Sequence, residues 1–250
     1  MDYTHYPLNG NFTDSGNAGF PALSTSSITG VWDNAGYFTG NGSAEITTGD
    51  DTTVKNFFDL STLGDGLIIV SAWIKSSDWS TISGSGNMLF SYASSNAGPG
   101  FKTRVLRTGG GQTRVQAQYK NQSGPDILNT QDLRNIEDEN TSGSVFVLVC
   151  FRNRGGVIEE CVLVDGIQTW ITILEGDVWA NTGNYLQHGF NIGSERTGAG
   201  AFQGFWRSGD MMKDVICVRS SNDVWSKLDI LARDAWNAGG GIPQSWFDAL

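Results

Sequence analysis

Apolar and polar positions alternate in short runs along most of this chain, and two runs depart from the alternation. Leu67-Ile-Ile-Val-Ser-Ala-Trp-Ile-Lys75 and Val145-Phe-Val-Leu-Val-Cys-Phe151 are apolar on both faces, the pattern of a strand covered on both sides. Elsewhere, period-2 runs bounded by Gly, Ser and Asn clusters predict further strands. The expected set is 3–8, 43–48, 67–75, 87–93, 101–107, 113–120, 144–151, 160–165, 167–174, 189–193 and 214–219. Asp165-Gly166 falls between two β-rich runs, a strong local signal for a two-residue hairpin.

Residues 101–120 read as a second hairpin, turning through Gly109-Gly-Gly111. Alternation puts Arg114, Gln116, Gln118 and Lys120 on one face and Val115, Ala117 and Tyr119 on the other. Lys102 and Arg104 alternate in the same way on the partner strand. The result is a wet, basic, amide-rich face suited to a glycan, an acidic partner surface, or water alone.

One segment changes period. In 222–237, Val224, Leu228, Leu231 and Ala235 form a single apolar stripe, as on a helix lying against a core. Ser221 or Asn222 is placed to cap it, and Gly239-Gly-Gly241 to end it. The tail beyond carries Ile242, Trp246, Phe247 and Leu250. Such apolar surface either folds back on its own domain or docks on a neighbour. The expected organisation is one all-β sandwich over 1–220, with a helix and tail over 221–250.

Composition agrees. The 250 residues are 39% apolar and 17% charged, with 33 Gly and nine Trp, enough apolar material for a sizeable core and enough Gly for many tight turns. Sixteen basic against 26 acidic residues leave a net charge of −10. That balance opposes nucleic-acid binding, which relies on Lys and Arg to neutralise phosphates. No apolar run approaches the ~20 residues that span a bilayer, so no membrane partner is expected. The first residues lack the basic start and apolar stretch of a signal peptide. Cys150, Cys161 and Cys217 each sit in an apolar run, where free thiols behave as small apolar side chains. Synthesis in a reducing cytoplasm is the expectation.

Several motifs occur in a telling order. Tyr6-Pro-Leu-Asn-Gly-Asn-Phe-Thr-Asp-Ser-Gly-Asn17 precedes Gly36-Tyr-Phe-Thr-Gly-Asn-Gly-Ser-Ala-Glu-Ile46 and the Leu67 strand. The Asp165-Gly166 turn follows, then Phe190-Asn-Ile-Gly-Ser194, Phe202-Gln-Gly-Phe-Trp206 and Lys213-Asp-Val-Ile-Cys-Val-Arg219. Over residues 5–220 this order resembles the laminin G-like branch of the concanavalin A-like lectin/glucanase superfamily. The resemblance implies a jelly-roll β-sandwich of two antiparallel sheets. It leaves sugar binding, glycan hydrolysis and assembly open, because function resides in sites grafted onto folds.

Hydrolysis fares poorly. Glycosidases need two carboxylates flanking one bond. The family's laminarinase-type members place them in a Glu-x-Asp-x-x-Glu pattern, and Glu175-Gly-Asp-Val-Trp-Ala180 has Ala where the last Glu belongs. Glu137-Asp-Glu139, within the polar stretch 129–142, reads as a solvated loop. His5 and His188 lack metal-ligand spacing. For sugar binding, Trp32, Trp79, Trp179 and Trp206 lie in turn-like surroundings and are candidate platforms, with packing as the alternative; Trp73 and Trp170 read as core. The resemblance further implies a Ca²⁺ loop that maps onto Asp14 and Asn17, against which stands a plain Asx-type turn; otherwise no cofactor is expected.

A family usually found outside cells, on a chain without a leader, suggests a bacteriophage virion protein made in the host cytoplasm. The expected role is non-catalytic: a head decoration or tail-associated component bound to a capsid or tail protein, with a trimer as the expected homo-oligomer. The alternative is a lectin module for a surface glycan.

Overall fold

The computed structural model describes residues 1–8, 12–26, 31–32, 38–40, 45–76, 78–82, 87–92, 100–109, 111, 113–120, 131–135, 144–164, 166–175, 189–196, 202–203, 206 and 208–230. The strands, in chain order, begin with β1 (Asp2–Tyr6), β2 (Ser24–Ser26), β3 (Val31–Trp32), β4 (Phe38–Thr39) and β5 (Glu45–Thr47). After the short helix α1 (Thr52–Phe57) come β6 (Leu67–Lys75), β7 (Asn87–Tyr92), β8 (Gly100–Arg107), β9 (Thr113–Lys120) and β10 (Gln131–Asn135). Next are β11 (Ser144–Arg154), β12 (Val157–Val164), β13 (Ile167–Glu175) and β14 (Phe190–Ile192). The last three are β15 (Glu195–Arg196), β16 (Phe202–Gln203) and β17 (Met211–Ser220), and helix α2 begins at Trp225.

Two antiparallel sheets face each other in a jelly-roll β-sandwich. Sheet A runs β13-β12-β11-β6-β17-β4-β3, with β1 also paired to β17; sheet B runs β10-β9-β8-β7-β14-β5-β2. The space between them is filled from both sides, by Val70, Val147, Phe151, Val162 and Cys217 of sheet A and by Phe90, Tyr92, Phe101, Val115 and Phe190 of sheet B. Phe58, from the turn after α1, stacks on Tyr92 and Phe190 at 4.6 and 5.4 Å between centroids.

The two doubly apolar runs are the adjacent central strands β6 and β11 of sheet A. Val145, Val147 and Val149 face the sandwich interior, while Phe146, Leu148 and Cys150 face outward. On that outer face Trp225 and Leu228 of α2 bury themselves against Leu67, Ile69, Trp73, Phe146 and Leu148. The indole N–H of Trp225 donates to Gln168 Oε1 (3.0 Å), its ring meets Trp170 edge-on at 4.8 Å, and the Arg152 guanidinium lies 4.0 Å from the Trp170 ring centre.

Each expected strand is present, with shifted ends. The 165–166 hairpin is closed by the Val164–Ile167 pair, Gly166 adopting φ +78°; Asp165 lies outside the described residues. Three expectations need correction. Residues 131–135, expected in a solvated loop, form β10, because β9 offers a free edge whose backbone groups pair with any residue type. β2, β3, β4, β15 and β16 are too short to show a period. Helix α2 starts at 225 rather than 222, and Asp223, not Ser221 or Asn222, accepts from the Trp225 N–H (3.2 Å). The three cysteines are buried and free, with Cys150 opposite Cys161 across the β11–β12 ladder; burial pushes all three thiols up.

Candidate functional site

The outer face of sheet B has the opposite chemistry. Strand pairing aligns Thr47 of β5, Asn191 of β14, Ser91 of β7, Lys102 of β8 and Gln118 of β9 in one continuous cross-strand row. Beside it, Arg104 pairs with Gln116, and Gln116 with Asp132 of β10. Their neighbours along each strand, among them Ile46, Ile192, Phe90, Val115 and Ala117, point into the core. Period-2 alternation thus sorts one side for packing and the other for hydrogen bonding.

The row is internally wired. Arg104 Nε donates to Gln116 Oε1 at 2.7 Å. The Asn191 amide donates to Ser91 Oγ (3.2 Å), and the Ser91 hydroxyl donates to the Ser194 carbonyl (2.9 Å). Lys102 Nζ sits 3.2 Å from Glu195 Oε2, with both side chains largely buried. The last two contacts hold β15 against the sheet and withdraw Ser91, Asn191 and Gln118 from water. Two polar atoms are left over: Asn191 Oδ1 and Ser194 Oγ are buried with no hydrogen-bond partner. A buried polar atom without a partner costs free energy, and Asn191 and Ser194 are both fully buried, so these two oxygens record the cost of closing this face.

Of the expected basic face, Arg104, Arg114 and Gln116 lie on this side as alternation required. Its openness needs correction: Gln116 and Gln118 are 7% and 3% exposed, so this part of the face is covered and not a wet surface. Lys120 ends β9 opposite Gly100, its side chain outside the described part. Alternation in 189–193 could have pointed to Asn191, which stands between two apolar neighbours. Ser91, Ser194 and Glu195 carried no such signal, because their partners are distant in sequence.

The tryptophans are corrected more sharply. Trp79 and Trp206 are 8% and 1% exposed and belong to the inter-sheet core. Trp206 packs against Gly193, whose φ of +70° and 3.0 Å clearance from the Trp206 Cβ leave no room for a side chain. Gly/Ser/Asn surroundings do mark turns there, but a turn residue can fold inward. Trp32 pairs with Phe38 on the edge of sheet A, its side chain undescribed. Trp179, the 176–180 acidic pair, His188 and the tail residues Ile242, Trp246, Phe247 and Leu250 all lie outside the described residues.

The Asp14 loop is a structural clasp. Asp14 Oδ1 accepts from the backbone N–H of His5 (2.8 Å) and Gly16 (2.7 Å), and its Oδ2 from that of Phe20 (3.3 Å). Asn17 Oδ1 accepts from the Tyr3 N–H at 2.7 Å. These oxygens accept backbone N–H groups, so Asp14 and Asn17 close an Asx-type turn onto β1, the plainer of the two expected readings. A Cβ on Gly16 would lie 2.2 Å from the Tyr3 carbonyl oxygen, which explains the glycine in this motif. Among the described residues no group of His, Cys, Asp and Glu is arranged to hold a metal, and no helix is long and apolar enough to cross a membrane.

Comparison with known proteins speaks to the fold. No family model matches the chain, and no curated protein matches it in sequence. Among solved structures, the enzymatically active domain of bacteriophage CBA120 tailspike protein 2 aligns over 89% of this chain at 11% identity and a TM-score of 0.51. The alignment covers 32% of the tailspike chain, so this protein spans about a third of it. Endo-1,3-β-glucanase from Streptomyces sioyaensis aligns over 87% of this chain and 90% of its own, at 15% identity and a TM-score of 0.44. The CBM2 module of the Dit protein of Lactobacillus casei BL23 phage J-1 does so over 86% and 95%, at 10% identity and 0.43. With the strand order above, the class is a jelly-roll β-sandwich of two antiparallel sheets.

Proposed function

We propose that this chain is a non-catalytic glycan-binding module, working as part of a bacteriophage virion. One observation carries the reading: the row Thr47–Asn191–Ser91–Lys102–Gln118, a continuous line of hydroxyl, amide and ammonium groups across sheet B. Mixed amide, hydroxyl and cationic groups on a rigid sheet suit a ligand whose hydroxyls both donate and accept. The absence of catalysis is argued from Glu195, the buried carboxylate of this face: it is tied to Lys102 and anchors β15, where hydrolysis would need two carboxylates free to act on one bond. The virion setting draws on the fold shared with the phage tailspike domain.

Affinity electrophoresis and a glycan array test the binding. Retardation by a polysaccharide that disappears in Arg104→Ala and Gln118→Ala supports the reading, and no binding across the array sinks it. Reducing-sugar release abolished by Glu175→Gln, Asp177→Asn or Glu195→Gln would replace it with a glycosidase. Immunogold labelling of purified phage particles tests the setting separately.

A further inference from the structure

A cavity of about 330 Å³ opens at the β1 edge of sheet A, lined by Asp2, Thr53, Asn56, Phe57, Thr62 and Arg219. None of these residues belongs to the polar row of sheet B. Asp2 and Arg219 are register partners on β1 and β17, so a carboxylate and a guanidinium stand side by side. Thr53 and Asn56 are exposed on α1, and Thr62 follows in the next turn.

The guanidinium is fixed before any ligand arrives. Arg219 Nη1 donates to the carbonyls of Phe57 (2.6 Å) and Asp59 (2.9 Å), and Nη2 donates to Thr62 Oγ1 (2.9 Å). These acceptors are all neutral. They account for three of its five N–H groups and orient the planar fork, leaving Nε–H and one Nη2–H. Preorganisation of this sort lowers the ordering cost of binding.

The lining chemistry selects the ligand class. One cation and one carboxylate sum to zero, and the remaining lining side chains are an amide, two hydroxyls and the apolar Ala18 and Phe57. An anion would meet Asp2 and an ammonium would meet Arg219, each at a cost. A neutral ligand with adjacent hydroxyls meets both, donating to the carboxylate and accepting from the guanidinium. The volume is at the small end of ligand pockets, roughly 300–1,000 Å³, which suits a single sugar ring. We infer that this cavity is a binding site for a neutral, hydroxyl-rich ligand of about one pyranose unit, held by Asp2, Asn56 and Arg219. The inference stands whether or not the face of sheet B binds a glycan.

Saturation-transfer difference NMR tests it, with glucose, galactose, mannose and N-acetylglucosamine as probes and glucuronate and glucosamine as charged controls. The variants are Asn56→Ala and Asn56→Trp, both at an exposed helix position, with thermal melting to verify the fold. At least one neutral sugar gives a signal, its Kd weakens about tenfold in Asn56→Ala, as for one lost hydrogen bond, and the signal vanishes in Asn56→Trp. No signal from any neutral sugar, or a preference for either charged control, overturns the assignment. A signal that survives Asn56→Trp but is lost in Gln118→Ala also overturns it, while supporting the glycan-binding face of sheet B.

Discussion

The outer faces of the two sheets begin from the same backbone geometry and end as opposites. On sheet A, Leu67, Ile69, Trp73, Phe146 and Leu148 make the outer face apolar, and Trp225 and Leu228 of α2 cover it. On sheet B, Asn191, Ser91, Lys102 and Gln118 make it polar, and among the described residues the short β15 is drawn across it. An apolar face is completed by burial, which is non-directional and insensitive to the exact partner. A polar face is completed only when every donor and acceptor finds a mate, and here two oxygens do not.

The largest expected effect tests the covered face. Trp225→Ala should destabilise the fold by about 3–5 kcal/mol, as buried Trp truncations do, read as a lower midpoint in urea. A loss under about 1 kcal/mol would show that α2 is dispensable and that sheet A also presents an open surface. On sheet B, Lys102→Met removes the ammonium beside buried Glu195 and should cost about 3 kcal/mol; Lys102→Met with Glu195→Leu should recover most of it. Failure of the double variant to recover would mean that the pair holds β15 by its charges and not merely by filling space.

A third carboxylate sharpens the contrast from inside. Glu160 points into the sandwich between Phe151 and Ile171, with neither oxygen hydrogen-bonded, and burial raises its pKa to about 8. Because the unfolded chain releases this proton first, stability should fall as pH rises from the ordinary carboxylate range to about 8, then level off. Glu160→Gln should remove a loss of roughly 2 kcal/mol between about pH 5 and about pH 7. An unchanged pH profile in that variant would show that the carboxylate has found water or a partner. The smallest effect concerns Arg104 and Gln116: a double-mutant cycle to Ala should give a coupling of about 1 kcal/mol, and a value near zero would mark their 2.7 Å contact as incidental.

Legibility in the sequence followed the same divide. β6 and β11 were readable because an apolar run needs no knowledge of its partner. The hairpin of β8 and β9 was readable down to which residues share a face, since alternation is a property of one strand. β10 was not, because its polar residues become a strand only when β9 supplies the other half of the ladder. Trp79 and Trp206 stayed open between platform and packing for a related reason. Turn-forming neighbours report backbone geometry, and they are silent on which side of the turn meets the core. The Asp14 motif was seen, yet its oxygens could have served a cation or backbone N–H groups equally well. Only the return of the loop onto β1 decided between them.

By itself, then, the amino-acid order determined the sheet-forming periods and the two central strands, which rest on local alternation and on how much apolar surface each run must hide; the jelly-roll class was implied only by the resemblance of its motif order to a known family. The tertiary structure alone decided that Lys102 meets Glu195, 93 positions away, that Asp2 stands beside Arg219, and that Glu160 lies unpaired in the interior. Hydrogen bonds and ion pairs act over a few ångströms in definite directions, so such partnerships exist only once the sheets have brought remote segments together.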